Sequence, residues 1–189
     1  MSLPTARDLI DYLRIEAEES SAEARLLSAL ITRATAMLEA WLDRPIETVY
    51  GAEYVDEDGG TDRLLVPVCP VDGTTLVLED GDGTAVTATT YRVKALTGEI
   101  IGLTGTLFTN PPYTITCDVG LALHPQYGDR IEPVLSAAIL DLAADLYHAR
   151  NPRAAGESAG GGASTSYVTT VLPERVQAAL RPYRLLRAV

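Results

Sequence analysis

Apolar residues recur at helical spacing in two segments near the N-terminus. The first, residues 5–15, has Thr5 at a capping position, and we predict a short helix there. The second, residues 21–43, is predicted to be a longer amphipathic helix that needs a facing helix and ends before Pro45. The first apolar stripe consists of Leu9, Ile10 and Leu13, and the second of Leu27, Ile31, Ala34, Leu38 and Trp41.

Two further helices are predicted in the C-terminal part of the chain. The third spans residues 131–150, with Pro133 accommodated in its first turn, and its apolar stripe makes it the best partner for the second helix. A last short helix begins near Pro173, and Pro182 interrupts it, so residues 182–189 should continue in a new direction. We predict helix–helix packing through Leu27, Ile31, Leu38 and Trp41 on one helix and Leu135, Ile139, Leu142 and Leu146 on the other.

The region between the second and third helices has a different pattern. Helical spacing disappears over residues 46–121, Thr and Val become frequent, and clusters of Asp and Gly mark turns. Alternation of apolar and polar residues predicts strands that form antiparallel meanders. The predicted strands are Thr48–Val55, Arg63–Pro67, Thr75–Glu79, Tyr91–Ala95, Glu99–Leu103 and Tyr113–Val119.

These patterns predict an α+β protein, a small helical bundle with an inserted antiparallel β sub-domain and a C-terminal helix plus extended tail. The length of 189 residues fits one domain with such an insertion. The predicted parts are N-terminal bundle helices (1–45), the β sub-domain (46–121), a long bundle helix (122–151), a flexible Gly/Ala/Ser loop (152–170) and the C-terminal helix and tail (171–189).

Composition restricts the class of protein. Hydrophobic residues make up 47% of the chain and charged residues 22%, as in soluble globular proteins. The sequence has neither the ~20 consecutive apolar residues of a membrane span nor a recognisable signal peptide, so we expect synthesis in the cytoplasm and no membrane partner. Cys69 and Cys117 lie far apart, which favours two buried thiols over a redox pair or a zinc site.

Charge is unevenly distributed along the chain. The net charge is −11, yet residues 171–189 carry four arginines against one glutamate. The preceding residues 1–170 therefore have a net charge of −14 and should repel a phosphate backbone. We expect no sequence-specific DNA binding by this acidic part, from which the basic C-terminal end is set apart.

Residues with potential chemistry lack the context that catalysis or metal binding requires. Ser158 lies in a G-x-S-x-G match, but no apolar strand precedes it and both histidines come earlier in the chain. The acidic clusters of residues 56–62 and 80–82 do not fit a calcium loop and are typical of hairpin turns. His124 and His148 have no carboxylate or cysteine at the spacing of metal ligands. Lys94 does not follow the glycine-rich loop that binds phosphate. We predict no enzyme activity, no cofactor and no metal.

The C-terminal end combines aromatic, aliphatic and cationic side chains. Tyr and Arg are enriched among the residues that anchor protein interfaces. Two interpretations are open, because this end either binds another protein or packs back on the core of its own subunit. The residues concerned are Arg181, Tyr183, Arg184, Leu185, Leu186 and Arg187.

Four blocks of the sequence, taken together, resemble a known family. They are residues 8–15 (DLIDYLRI), 38–45 (LEAWLDRP), 132–150 and 172–184 (LPERVQAALRPYR). The most specific is the last, with its pattern Leu-Pro-x-x-Val-x-x-x-Leu-x-Pro-Tyr-Arg, whereas residues 46–121 match poorly. In this order the blocks resemble the head–tail connectors of long-tailed phages and gene transfer agents, also called adaptor or head-completion proteins.

The resemblance implies a structural role in the neck of a virion or gene transfer agent. Such proteins form a ring, commonly of twelve copies, beneath the portal at the vertex through which DNA leaves. The C-terminal segment reaches the portal, the opposite side receives a stopper or tail protein, and DNA passes without being read. By position, the portal-binding residues would be Leu180, Arg181, Pro182, Tyr183, Arg184, Leu185, Leu186 and Arg187.

Three alternative functions are kept beside this one. A stopper or tail-terminator protein would act one layer further from the head, and deletion of residues 181–189 would identify which neighbour is lost. A carbohydrate- or host-surface-binding module would use the Thr- and Tyr-containing strands of residues 46–121. A hydrolase would depend on Ser158, and Ser158→Ala would abolish its activity.

Overall fold

The computed structural model describes two compact units. The helical unit comprises Met1–Leu42 with Arg130–Leu186, and the β unit comprises Asp43–Asp129. The predicted insertion falls within the β unit. The described residues are 3–18, 21–58, 60–123, 125–150 and 172–184, with side chains of the third helix described from residue 132.

The described α-helices are α1 (Ala6–Leu13), α2 (Ala22–Leu42), α3 (Pro125–Arg150) and α4 (Glu174–Leu180). Thr5 caps α1 as predicted, because its backbone N–H donates to Asp8 Oδ2 at 2.7 Å and Asp8 N–H donates to the Thr5 hydroxyl at 3.4 Å. Arg14 adopts a left-handed conformation with φ of 55° and ends this helix. Helix α1 buries Leu9 and Ile10 and packs against α2.

Helix α3 is longer than predicted. It begins at Pro125 rather than at residue 131, so Pro133 lies inside the helix instead of in its first turn. Proline has no N–H to donate to the carbonyl four residues earlier, which is why the sequence suggested a start just before Pro133.

The residues predicted to pack the helices together are buried in the helical unit, with one exception. Trp41, at the end of α2, is only partly buried. The buried members are Leu27, Ile31, Leu38, Leu135, Ile139, Leu142 and Leu146, each at most 7% exposed. Their burial agrees with a bundle, whereas direct pairing of α2 with α3 through them stays a prediction.

Six strands form two three-stranded antiparallel sheets in the described part of the β unit. They are β1 (Val49–Asp56), β2 (Arg63–Leu65), β3 (Val77–Glu79), β4 (Tyr91–Lys94), β5 (Glu99–Gly102) and β6 (Tyr113–Val119). One sheet has the order β1-β6-β3 and the other β2-β5-β4. A 3-10 turn, Leu121–Leu123, follows β6.

The expectation of meanders is wrong, although the strands and their antiparallel pairing are confirmed. Only β4 and β5 are neighbours both in the sequence and in a sheet. Strand β6 lies between β1 and β3, with Ile115 opposite both Tyr54 and Leu78. Turn residues indicate where a strand ends, but burial of side chains decides which strand it pairs with. Strand β6 alternates buried and half-buried residues along its whole length, which suits its central position in the sheet.

One apolar cluster joins the two sheets of the β unit. Leu64 and Ile100 come from one sheet, and Leu78 and Ile115 from the other. Phe108, which lies outside the strands, packs edge-on against the ring of Tyr113 at a centroid distance of 5.4 Å. The cluster gives the β unit a core of its own.

Candidate interaction surface at the C-terminal helix

Helix α4 is anchored by one apolar side. Leu172, Val176 and Leu180 are spaced four residues apart and are 7%, 2% and 0% exposed. This spacing places them on one face of the segment. Gln177 reinforces the start of the helix, since its side-chain amide donates to the carbonyl of Leu172 at 2.6 Å. The opposite face of α4 is therefore held in a fixed position and exposed.

An ion-pair network links α4 to α3 and α1. The Arg175 guanidinium donates from Nε to Asp141 at 3.2 Å and from an Nη to Asp145 at 2.9 Å. The Tyr12 hydroxyl donates to the same Asp141 carboxylate. The neighbouring Asp145 carboxylate raises the pKa of Arg175, and the hydrogen bond to Asp141 raises the pKa of Tyr12. Three helices are thus tied together at Asp141.

A groove of about 800 Å³ lies between the end of α2 and the exposed side of α4. We call it the C-terminal groove. The Arg184 guanidinium lies over the Trp41 ring, 5.2 Å from its centroid, in a cation–π contact. The chain reaches this position through a 3-10 turn, Arg181–Tyr183, after which Arg184 is extended. The lining residues are Trp41, Glu174, Gln177, Ala178, Arg181, Pro182 and Arg184.

The predicted portal-binding residues have different environments. Leu180 is completely buried on the apolar side of α4, so within the single chain it packs in the helical unit and is not exposed as its neighbours are. Arg181, Pro182 and Arg184 are exposed, and Tyr183 is half-buried. The change of direction predicted for residues 182–189 is described only as far as Arg184, which is extended and follows a 3-10 turn. Leu185, Leu186 and Arg187 lie outside the described residues.

Sequence reasoning missed the wall of the groove that α2 supplies. Trp41 was assigned to helix packing because it ends the α2 stripe, yet its ring supports Arg184. Glu174, Gln177 and Ala178 were also not predicted as site residues. A signal was present in the single tryptophan of the chain, since an aromatic ring at a helix end is suited to a half-exposed anchor.

The acidic clusters of the β unit serve its turns. Asp80 Oδ1 accepts the backbone N–H groups of Asp82 at 3.1 Å and Thr84 at 2.9 Å, and the second of these bonds contributes most to lowering the Asp80 pKa. Asp56 accepts the N–H groups of Asp58 at 3.0 Å and Leu65 at 3.3 Å. Within the described ranges, no group of three or more His, Cys, Asp or Glu residues is placed to hold a metal ion.

The remaining candidates for chemistry have structural surroundings or are not described. Lys94 forms an ion pair with Glu99 on the neighbouring strand at 2.5 Å. His148 is exposed in the last turn of α3, where the centroid of its ring lies 5.8 Å from that of the Tyr147 ring. Both cysteines are buried as free thiols, and burial raises the pKa of Cys69 and raises that of Cys117 to about 11. Ser158 and His124 lie outside the described residues.

Negative charge is concentrated in the β unit. Residues 43–129 contain fourteen acidic and four basic residues, a net charge of −10. The helical unit, residues 1–42 and 130–186, has twelve acidic and ten basic residues and a net charge of −2. The sequence showed that residues 1–170 are acidic and residues 171–189 are basic. In the structure, most of the negative charge belongs to the β unit, and the helical unit is nearly neutral.

Among the helices of the described residues, none has the length and apolar composition needed to cross a membrane. The helical unit presents an exposed groove with two arginines beside an aromatic ring, residue types that are enriched at protein interfaces.

Comparison with known proteins identifies the family. The head completion protein family matches residues 2–186, and the chain belongs to this family. This confirms the resemblance seen in the sequence, and the role of the chain is the structural one of a head-to-tail connector. None of the curated proteins matches the chain significantly.

Solved structures with a similar fold come from gene transfer agent (GTA) particles. A chain in the neck of an empty GTA particle, computed with C6 symmetry, has a TM-score of 0.63 at 20% identity, with 100% of this chain and 95% of that chain covered. A chain in the virion of a native GTA particle has a TM-score of 0.58 at 20% identity, covering 100% and 95%. A chain in the neck of a native GTA particle, computed with C12 symmetry, has a TM-score of 0.53 at 20% identity, covering 100% and 94%. These chains share the fold of this protein.

Proposed function

We propose that the chain is a subunit of a ring in the particle neck that joins the portal to a stopper or tail protein. Membership of the head completion family over residues 2–186 is the observation that carries this proposal. The C-terminal groove supports the direction of binding, since it presents exposed arginines beside an aromatic ring. The proposed portal-docking residues are Arg181, Pro182, Tyr183, Arg184, Leu185, Leu186 and Arg187.

The distribution of charge suits a ring through which DNA passes. The β unit, at −10, repels phosphate and offers no grip to a sliding duplex. Residues 171–189 carry a net charge of +3, and residues 1–170 carry −14, so most of the chain opposes binding to a phosphate backbone. DNA passes without sequence-specific contacts, and the chain performs no catalytic step in this role.

Repetition around a ring strengthens a small contact. Each copy offers only the groove and the adjoining chain end, but simultaneous engagement of several copies raises the avidity of the whole ring. We propose twelve copies, a number that is compatible with both the C12 and the C6 symmetry used for GTA necks that contain a chain of similar fold. A cyclic ring would then present a circle of identical grooves.

Deletion of residues 181–189 tests the direction of binding. Full-length and shortened protein are mixed with purified portal and with the stopper or tail protein of the same particle, and complexes are measured by size-exclusion chromatography with light scattering. We expect the deletion to abolish binding to the portal and to leave binding to the stopper intact. Loss of stopper binding alone would support the stopper or tail-terminator alternative, and unchanged portal binding would refute the proposed docking surface.

A further inference from the structure

We propose that the C-terminal groove binds an acidic peptide segment of the portal, with a carboxylate of that segment between Arg181 and Arg184 and an apolar side chain beside Trp41. This proposal rests on the proposed function and adds the chemistry of the partner. Neither arginine side chain has a carboxylate partner among the residues that the structure describes, although both are exposed at the groove. The cationic end of the groove is therefore available for a ligand.

Arg175 illustrates why this availability matters. It lies on the same short helix, but Asp141 and Asp145 already satisfy its guanidinium at 3.2 and 2.9 Å. A second groove of about 390 Å³ beside it, between α3 and α4, is lined mainly by Ala and Val. The cation of that groove already has carboxylate partners, whereas the two arginines of the C-terminal groove have none among the residues that the structure describes.

The contact between Arg184 and Trp41 prepares the site for binding. The Arg184 guanidinium carbon lies over the ring, 5.2 Å from its centroid, and because this contact already restricts the side chain, less side-chain entropy is lost when a carboxylate binds. The planar, multiply donating guanidinium matches the geometry of a carboxylate. Ala178, Pro182 and the remaining surface of Trp41 form an apolar wall at which a neighbouring aliphatic side chain loses contact with water.

Glu174 gives the groove a direction. It lines the groove two helical turns before Arg181, so one end of α4 is negative and the other is positive. An acidic residue is attracted to the end formed by Arg181 and Arg184 and repelled from the end formed by Glu174. The preferred segment thus has its acidic residue at one end and an apolar or basic residue at the other.

Nucleic acid is the competing ligand for paired arginines. Phosphate would also bind the two guanidinium groups, but residues 1–170 carry a net charge of −14, which opposes the approach of a duplex. Glu174 in the groove wall adds local repulsion. An apolar wall beside the arginines serves a peptide better than a sugar–phosphate backbone. These observations favour a protein carboxylate.

The test is a paired charge reversal in the full-length protein, Arg181→Glu with Arg184→Glu. The matched control is Arg25→Glu with Arg33→Glu, which changes the net charge equally at two exposed positions of α2. Binding to the purified portal ring is measured by surface plasmon resonance at about 50 mM and about 300 mM salt. We expect the groove variant to bind at least about tenfold more weakly and to lose most of its salt dependence, while the control binds like the unmodified protein.

Control measurements and two alternative outcomes decide between the explanations. Circular dichroism first verifies that the variant is folded. Arg181→Lys with Arg184→Lys, which keeps the charge but loses the planar guanidinium, should bind more weakly than the unmodified protein and more tightly than the charge reversal. If the charge reversal leaves portal binding unchanged while deletion of residues 181–189 abolishes it, the acidic partner is wrong and the proposed function stands. If the reversal instead lowers retention of double-stranded DNA with portal binding unchanged, the ligand is nucleic acid and the proposal is overturned.

Discussion

Leu180→Ala tests whether α4 is part of the folded helical unit or an attachment that forms on docking. Leu180 is 0% exposed, and the substitution removes three carbon atoms from a closed environment. At about 0.8 kcal/mol per methylene, the lost transfer free energy is about 2.4 kcal/mol, and the remaining cavity raises the total to about 3 kcal/mol. We expect the free energy of unfolding of the helical unit to fall by this amount.

Urea unfolding followed by tryptophan fluorescence measures this change. Trp41 is the only tryptophan and lies at the C-terminal groove, so its emission reports on the unit that contains α4. With a urea m-value of about 1.5 kcal/mol per M, a loss of about 3 kcal/mol lowers the midpoint by about 2 M. Arg33→Ala is the matched control, because Arg33 is exposed on α2 and belongs to the same helical unit as Leu180.

The expected control shift is less than about 0.5 M, as for most substitutions of exposed residues. A shift as small as this in Leu180→Ala would refute the assignment of Leu180 to the core. It would mean that α4 is not held by its buried face, and Leu180 would return to the set of partner-facing residues.

Three further predictions concern thiols, ion pairs and turns. Cys117 has a pKa of about 11, so at about pH 8 roughly one thiol in a thousand is ionised. It should therefore react with a disulfide reagent far more slowly than an exposed thiol does. Rapid reaction of Cys117 in the folded protein would contradict its burial. Because its folded pKa lies above the unfolded value of about 8.5, the free energy of unfolding should fall as the pH rises past that value. Cys117→Ala should weaken this dependence and leave the part due to Cys69, whose pKa burial also raises. The ion pair of Arg175 and Asp145 should contribute little to stability, because the two side chains are 58% and 35% exposed. A double-mutant cycle of Arg175→Met and Asp145→Asn, measured by urea unfolding, should give a coupling free energy of about 0.5–1 kcal/mol. A coupling above about 2 kcal/mol would contradict this low value. Gly98→Ala should lower the melting temperature more than Gly83→Ala does. Both glycines have positive φ, but only at Gly98 would the new Cβ lie 2.5 Å from a backbone oxygen. Equal shifts in melting temperature would disprove this clash.

Local signals were sufficient to predict most of the secondary structure. The Thr5 cap, the periodic stripe of α2 and the alternation in β6 each depend on residues close together in the sequence. The start of α3 was misjudged because a proline inside a helix has the same local signature as a proline in its first turn. The order of the strands was misjudged because β6 is far in sequence from both of its partners.

The candidate site was predicted only in part for a related reason. The basic pattern of residues 181–184 is visible in the sequence, and three of these four residues are exposed. That Trp41 forms the facing wall could not be read from its position, since it depends on how the end of α4 meets the end of α2. Leu180 belongs to the same sequence block as Arg181 but has the periodicity of the buried face, which is why its environment differs.

Electron cryo-microscopy of the neck of particles that contain this protein tests the connector role most directly. The expected map contains a ring of copies between portal and tail, in which α4 and the C-terminal groove contact the portal and an acidic side chain of the portal lies against Arg181 and Arg184. A map that places the copies outside the neck, or that turns the groove away from the portal, would contradict this function.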